Sequence, residues 1–195
     1  MMPRRTVGLS KEFYVRDPAV VAKDLLGNIL VRKIGSSVLS GKIVETEAYL
    51  GKGDPASRAY KGKKKYNELM FSNVGRAFIF MVHGNWLLNV VAHLKDHVGA
   101  VLIRGIEPIE GIEIMRQNRT VRKLRNLTNG PGKLAEALAI TKNLNGYDVT
   151  AKNGLLTIIG GEDQGPAICS SHRIGVKVDL PRNLRFFIEG NMFVS

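Results

Sequence analysis

Cysteine is almost missing from this chain: Cys169 stands alone among 195 residues. A disulfide framework and a cysteine-built zinc site are therefore excluded within one chain. Cys169 lies in an apolar stretch and is expected to be a small buried hydrophobe. Long apolar runs are missing too, since none approaches the roughly 20 residues needed to span a bilayer. The opening Met1-Met2-Pro3-Arg4-Arg5 leads into no apolar segment, so it does not read as a secretory signal. The expectation is an intracellular protein, cytoplasmic or nucleoid-associated, with no membrane partner. There is no Gly-x-Ser-x-Gly elbow. There is no Walker A sequence either, because Asn129-Gly130-Pro131-Gly132-Lys133 lacks its spacing and its Lys-Ser/Thr pair, which argues against an NTPase. His93 and His97 stand at i, i+4 but without the glutamate of a zinc-protease helix, and His83 and His172 add no ligand pattern. No metal and no cofactor are expected. No repeat or low-complexity linker divides the chain, and its length suits one domain over residues 1–195.

What the chain does have is positive charge. Its 29 Lys and Arg against 17 Asp and Glu give +12. That exceeds what solubility requires and points to a polyanionic partner, nucleic acid before an acidic membrane surface. The 44% apolar content allows a packed core and excludes global disorder.

Periodicity and turn residues outline the elements. Asp17-Pro18 reads as an N-cap with proline at the first helical position, and the helix runs through Leu26 to a stop at Gly27. Residues 28–33 and 41–50 read as strands separated by a turn at Gly35-Ser36-Ser37. Residues 51–66 read as a loop rich in glycine and lysine. Apolar runs 77–82 and 86–92 flank His83-Gly84-Asn85, the tip of a hairpin. Further strands are expected at 100–104, 155–159, 174–178 and 184–188, and helices at 110–119 and 133–140. Strands joined by hairpins or short loops predict an α+β domain with a curved, mostly antiparallel sheet and flanking helices.

The most informative segment is Ile43-Val44-Glu45-Thr46-Glu47-Ala48-Tyr49-Leu50. Alternation on a strand puts Ile43, Glu45, Glu47 and Tyr49 on one face, and Val44, Thr46, Ala48 and Leu50 on the other, which suits the core. Two carboxylates beside an aromatic make either an acid/base site or a solvated face. Arg104, closing an apolar strand, needs a carboxylate, a phosphate or water; it either pairs with a glutamate of the first strand or snorkels. Asn89 interrupts an apolar run, so its amide is either a satisfied core group or a reader of a substrate edge. Lys61, Lys63, Lys64 and Lys65 form one basic cluster. Arg116, Arg119, Arg122, Lys123 and Arg125 form another. Each suits phosphates, and each equally suits a solvated surface. The turn before Lys133 offers backbone N–H groups to a phosphate.

These motifs, with Asp54-Pro55-Ala56-Ser57, Met70-Phe71, residues 103–111, Met115-Arg116, residues 127–134, Arg173-Ile174-Gly175 and Leu184-Arg185-Phe186, resemble the alkyladenine (3-methyladenine) DNA glycosylases in order and spacing through most of the chain. The resemblance implies a mixed α/β domain with a curved antiparallel sheet and a DNA-intercalating hairpin. It implies a monomeric, monofunctional hydrolase without metal or cofactor. Such an enzyme flips a damaged purine out of double-stranded DNA, cleaves its N-glycosidic bond and leaves an abasic site. By resemblance, Glu47 is the general base, Arg104 and the carbonyl of Ile174 hold the attacking water, Tyr49 stacks on the purine and Asn89 crowds the 2-amino group of guanine. The chain departs from the pattern twice. Arg58 stands where the family usually has a histidine, and its guanidinium plane can still stack on a base. The hairpin carries Phe78-Ile79-Phe80-Met81-Val82-His83 in place of the usual tyrosines, so Phe80 takes the second stacking position and His83 or Met81 the wedge. The basic clusters and Lys133 would meet the DNA backbone. A non-catalytic lesion-binding module with the same surface and wedge is the alternative.

Overall fold

The computed structural model describes residues 8–161 and 167–195, so the opening Met1–Arg5 segment lies outside the described residues. Two short helices, α1 (Lys11–Tyr14) and α2 (Pro18–Asp24), lead into β1 (Ile29–Ile34) and the long β2 (Ser37–Leu50). The hairpin β3 (Ala77–Val82) and β4 (Asn85–Val91) follows, then β5 (Gly99–Glu110), α3 (Ile112–Arg119) and α4 (Pro131–Ala137). Short strands β6 (Leu156–Ile159), β7 (Ile168–Ser171) and β8 (Arg185–Ile188) complete the chain. All pairs are antiparallel, in the order β3-β4-β5-β2-β1-β6, and β8 branches off β2 carrying β7. The result is an α+β fold around one curled antiparallel sheet with few helices. No helix among the described residues is long and apolar enough to cross a membrane.

Strand β2 is the axis of the sheet. It pairs with β5 along most of its length, while its other edge serves β1 up to Lys42 and β8 from Glu45 to Glu47. The fork coincides with register shifts between Ile43 and Thr46. Such bulges bend and twist a strand locally, which curls the sheet there and re-aims its side chains. Helix α2 begins as the sequence predicts: Asp17 accepts from the Ala19 N–H at 2.8 Å and Pro18 opens the first turn. Its Val21 and Ala22, with Leu25 just beyond it, are fully buried in the main core beside Val44 and Ala48. Each large aliphatic buried this way contributes about 1.5–3 kcal/mol. Thr46 Oγ1 also donates to the Ala22 carbonyl at 2.7 Å, tying that helix to β2.

Several expectations need correction. Residues 43–48 are buried on both faces, because helix α2 covers one side and the β8 branch and C-terminal residues cover the other. Glu45 and Glu47 are therefore not solvated. Strand β5 does not stop at Arg104 but continues to Glu110, since β2 is long enough to pair with it, and Glu110 belongs to the strand rather than to α3. Residues 174–178, whose apolar alternation predicts a strand, form a turn with Gly175 at φ +75°. Arg173 and Asp179 hold the two ends of that turn together, overriding the local pattern. Cys169 lies on β7 and is only half-buried, because β7 is an edge strand. The helices at 18–26 and 133–140 are each shorter than their periodicity suggests, ending at Asp24 and Ala137.

Candidate active site

Alternation along β2 keeps Glu45, Glu47 and Tyr49 on one side, where β5 supplies Arg104 and β8 supplies Arg185. Glu45 and Glu47 are fully buried and Arg104 is 6% exposed. Arg104 joins the two carboxylates: its Nε donates to Glu45 Oε1 at 3.1 Å and its Nη1 lies 3.3 Å from Glu47 Oε1. Its pairing with a glutamate of β2 is thus realised twice. Glu47 Oε1 also accepts from the Ile174 N–H at 2.7 Å, and Glu47 Oε2 accepts from the Tyr49 hydroxyl at 2.8 Å. The amide of Ile174 thus meets Glu47 directly. Burial pushes the Glu47 carboxyl above the usual carboxylate range, while Arg104, the Ile174 N–H and Tyr49 oppose that rise. The Tyr49 hydroxyl is pushed well up by burial and by the Glu47 charge, so it stays protonated and donates.

Glu45 anchors the layer behind Glu47. Arg185 Nε donates to Glu45 Oε1 at 2.6 Å, and the Ser195 N–H and hydroxyl both donate to Glu45 at 2.9 Å. Gly105 permits this arrangement, because a Cβ there would stand 2.6 Å from the Phe193 carbonyl oxygen. A second buried network fixes Ile174. Arg173, with no exposed side-chain surface, donates to both oxygens of Asp54 at 2.7 Å and from two nitrogens to Asp179 Oδ1. Its guanidinium also lies 4.7 Å from the centre of the Tyr49 ring. Neither Arg185 nor Arg173 stands out in sequence as a site residue. The signal for both is that they lie in the motifs Arg173-Ile174-Gly175 and Leu184-Arg185-Phe186.

Tyr49, Arg104 and Ile174 open onto a cavity of about 1310 Å³, whose lining includes Arg58, Phe78, Phe80, Asn89 and Leu102. Asn89 is 3% exposed and its amide nitrogen donates to the Phe78 carbonyl at 3.1 Å, which fixes the side chain at the cavity wall. The Arg58 guanidinium lies 3.9 Å from the Phe80 ring centre and 5.9 Å from that of Tyr66. Phe80 therefore carries a cation on its ring. His83 and Gly84 form a two-residue hairpin turn with φ of +48° and +79°. Positive φ at both residues suits the right-handed twist of the paired strands. His83 lines the cavity mouth. Met81, 47% exposed, faces away from it, as alternation from Phe80 requires.

The basic residues divide into two groups. Lys61, Lys63, Lys64 and Lys65 are exposed on the loop beside the cavity. The buried Asn67 shapes that loop by accepting from the Lys64 N–H and donating to the carbonyls of Arg58 and Gly62. Sequence reading missed Asn67. Replacing it with Ala should cost about 1–3 kcal/mol by orphaning those groups. Urea unfolding would measure the loss, and limited proteolysis should then cut within 58–66. Unchanged stability would remove Asn67 from this role. On the other side, Arg116 pairs with Glu113 at 3.3 Å, and Lys133 Nζ donates to Asn129 Oδ1 at 2.9 Å at the cavity rim. Arg119 donates to Glu136 and to the carbonyls of Asn126 and Leu127, bracing α3 against the 124–137 segment.

Comparison with known proteins identifies relatives of the whole chain. Residues 12–192 match the family described as Methylpurine-DNA glycosylase (MPG). A protein of Carboxydothermus hydrogenoformans is 42% identical over 188 residues, covering 96% of this chain and 98% of its own length. One from Mesorhizobium japonicum is 41% identical over 92% of this chain and 86% of its own, and one from Aeropyrum pernix is 39% identical over 96% and 92%. All three bear the name "Putative 3-methyladenine DNA glycosylase". A family match spanning nearly the whole described fold places this chain in the methylpurine-DNA glycosylase family.

Proposed function

We propose that this protein excises damaged purines from double-stranded DNA as a monofunctional, monomeric glycosylase, with Glu47 as its general base. The chain is a 3-methyladenine DNA glycosylase of base-excision repair by family and by its relatives. The mechanism rests on the surroundings of Glu47. A carboxylate offers roughly four acceptor sites. The Ile174 N–H, Arg104 and Tyr49 address three of them, which leaves room for a water beside the cavity.

The target bond lies within the base stack, so the nucleotide must first be extruded, at a cost of a few kcal/mol. Stacking on Tyr49 returns about 1–3 kcal/mol. The β3–β4 hairpin enters the minor groove, with His83 at its tip filling the gap and Met81 beside it. Asn89, held by Phe78, presents its carbonyl oxygen to the base and disfavours the 2-amino group of guanine. As the purine leaves, the sugar gains oxocarbenium character. Glu47 stabilises that charge and takes the proton of the attacking water, which Arg104 helps to hold. In this reading residues 1–195 act as one unit in the cytoplasm at the nucleoid. The test is incubation with methylated duplex DNA: free methylpurine and alkali-labile sites are expected. Binding without release would instead favour the lesion-binding module.

Lys61, Lys63, Lys64 and Lys65 contact phosphates in this reading, with Arg119 and Lys133 at the cavity rim and Arg116 on the same helix as Arg119. Neutralising the four loop lysines to Gln should lower the slope of log affinity against log salt by up to about 3–4, near 0.9 per phosphate contact. A slope equal to wild type would move the DNA path elsewhere.

A further inference from the structure

Arg58 is a cation in the wall of the cavity. Among the described residues its side chain has neither an ion pair nor a hydrogen bond, although it lines the cavity beside Tyr49 and Asn89. Its planar group rests on Phe80 at 3.9 Å, which fixes its position while leaving its N–H donors uncommitted. Partial burial lowers its pKa from the usual arginine value, as expected of a desolvated cation. An arginine keeps its proton in proteins, so Arg58 acts through charge and donated hydrogen bonds. The other arginines that line the cavity are already engaged, Arg104 by Glu45 and Glu47 and Arg119 by Glu136 and the carbonyls of Asn126 and Leu127.

From this unpaired guanidinium in the base cavity we infer that Arg58 selects neutral purines with acceptor edges, such as hypoxanthine, over cationic alkylpurines, and assists their departure. The inference rests on the cavity being the base-binding site. When the C1′–N9 bond breaks, the bonding pair leaves with the purine. Water oxygen bonds to C1′, and its proton passes to Glu47. A neutral purine departs with negative charge, later quenched by a solvent proton, and a guanidinium donating to its O6 and N7 stabilises that charge. Arginine meets the same acceptor pair on guanine. A 7-methylguanine carries a positive charge and no free N7, so it cannot take the two-point contact and its charge is repelled by Arg58.

The test measures single-turnover release of hypoxanthine and of 7-methylguanine from otherwise identical duplexes, by wild type, Arg58→Gln and Arg58→Lys. The rate ratio within one preparation is independent of the folded fraction. Arg58→Gln should lower the hypoxanthine-to-7-methylguanine ratio about tenfold, the scale of one bidentate arginine contact, and Arg58→Lys should recover only part of it. An unchanged ratio overturns the inference. Equal slowing of both substrates with a shallower salt dependence also overturns it, making Arg58 a phosphate contact. Release of neither base by wild type would instead defeat the proposed glycosylase mechanism itself.

Discussion

Glu47→Gln is expected to cut base release by about 10²–10⁴-fold, the range of a lost general base, while duplex binding persists. The substitution keeps the side-chain shape. The amide oxygen can still accept from the Ile174 N–H, and the Tyr49 hydroxyl can turn to accept from the new amide nitrogen. What disappears is the charge that takes the water's proton and faces the developing oxocarbenium ion. The wild-type rate should rise with pH as Glu47 ionises. Because burial is the largest influence on Glu47 and raises its pKa, that acid limb should lie above the ordinary carboxylate range. Single-turnover release against pH should show the limb in wild type and lose it in Glu47→Gln. A variant retaining both rate and limb would place the base elsewhere. The sign for stability is opposite. A raised pKa in the folded state means the protonated form is favoured by folding, so this contribution is present below the unfolded pKa and is lost as pH rises through the folded value.

Arg173→Ala is expected to remove about 3–5 kcal/mol of stability, the cost of breaking a buried ion pair from one side. Arg173 and Asp54 both have no exposed side-chain surface, and Asp54 also receives the N–H groups of Leu50 and Ala56. Without Arg173, Asp54 would be a buried charge lacking its cation. The Ala48 carbonyl would lose a donor, and Asp179 would lose its grip on the 174–178 turn. Base release should fall as well, because Ile174 follows Arg173 directly and its N–H orients Glu47. Urea unfolding measures the first effect. Adding Asp54→Asn should recover part of the loss, since contacting residues do not act additively. A cost below about 1 kcal/mol would instead match a weak surface pair.

Much of the architecture was legible because it depends on local chemistry. Asp17-Pro18 starts a helix wherever it lies, and His83-Gly84 closes a hairpin between two apolar strands. The alternation in β2 correctly groups Glu45, Glu47 and Tyr49, because a strand has a period of two in any fold. The same reasoning failed where distant segments intervened. Residues 174–178 have the pattern of a strand, yet Arg173 is held by Asp54, 119 positions away, and the chain turns. The opposite face of β2 reads as core, but nothing local shows that the glutamate face is buried too by β8 and Ser195.

The sequence by itself determined the ingredients: a basic, cysteine-poor α+β chain with two carboxylates and an aromatic on one strand face, and ordered motifs that resemble a glycosylase. Only the tertiary structure decided their chemical state. It joined Arg104 to both glutamates, gave Glu47 its raised pKa and left Arg58 in the cavity with no ion pair among the described residues. Charge type is a property of each residue. Burial and partner distance depend on segments far apart in the chain, and these govern whether a carboxylate works as a base or a guanidinium remains free to meet a purine.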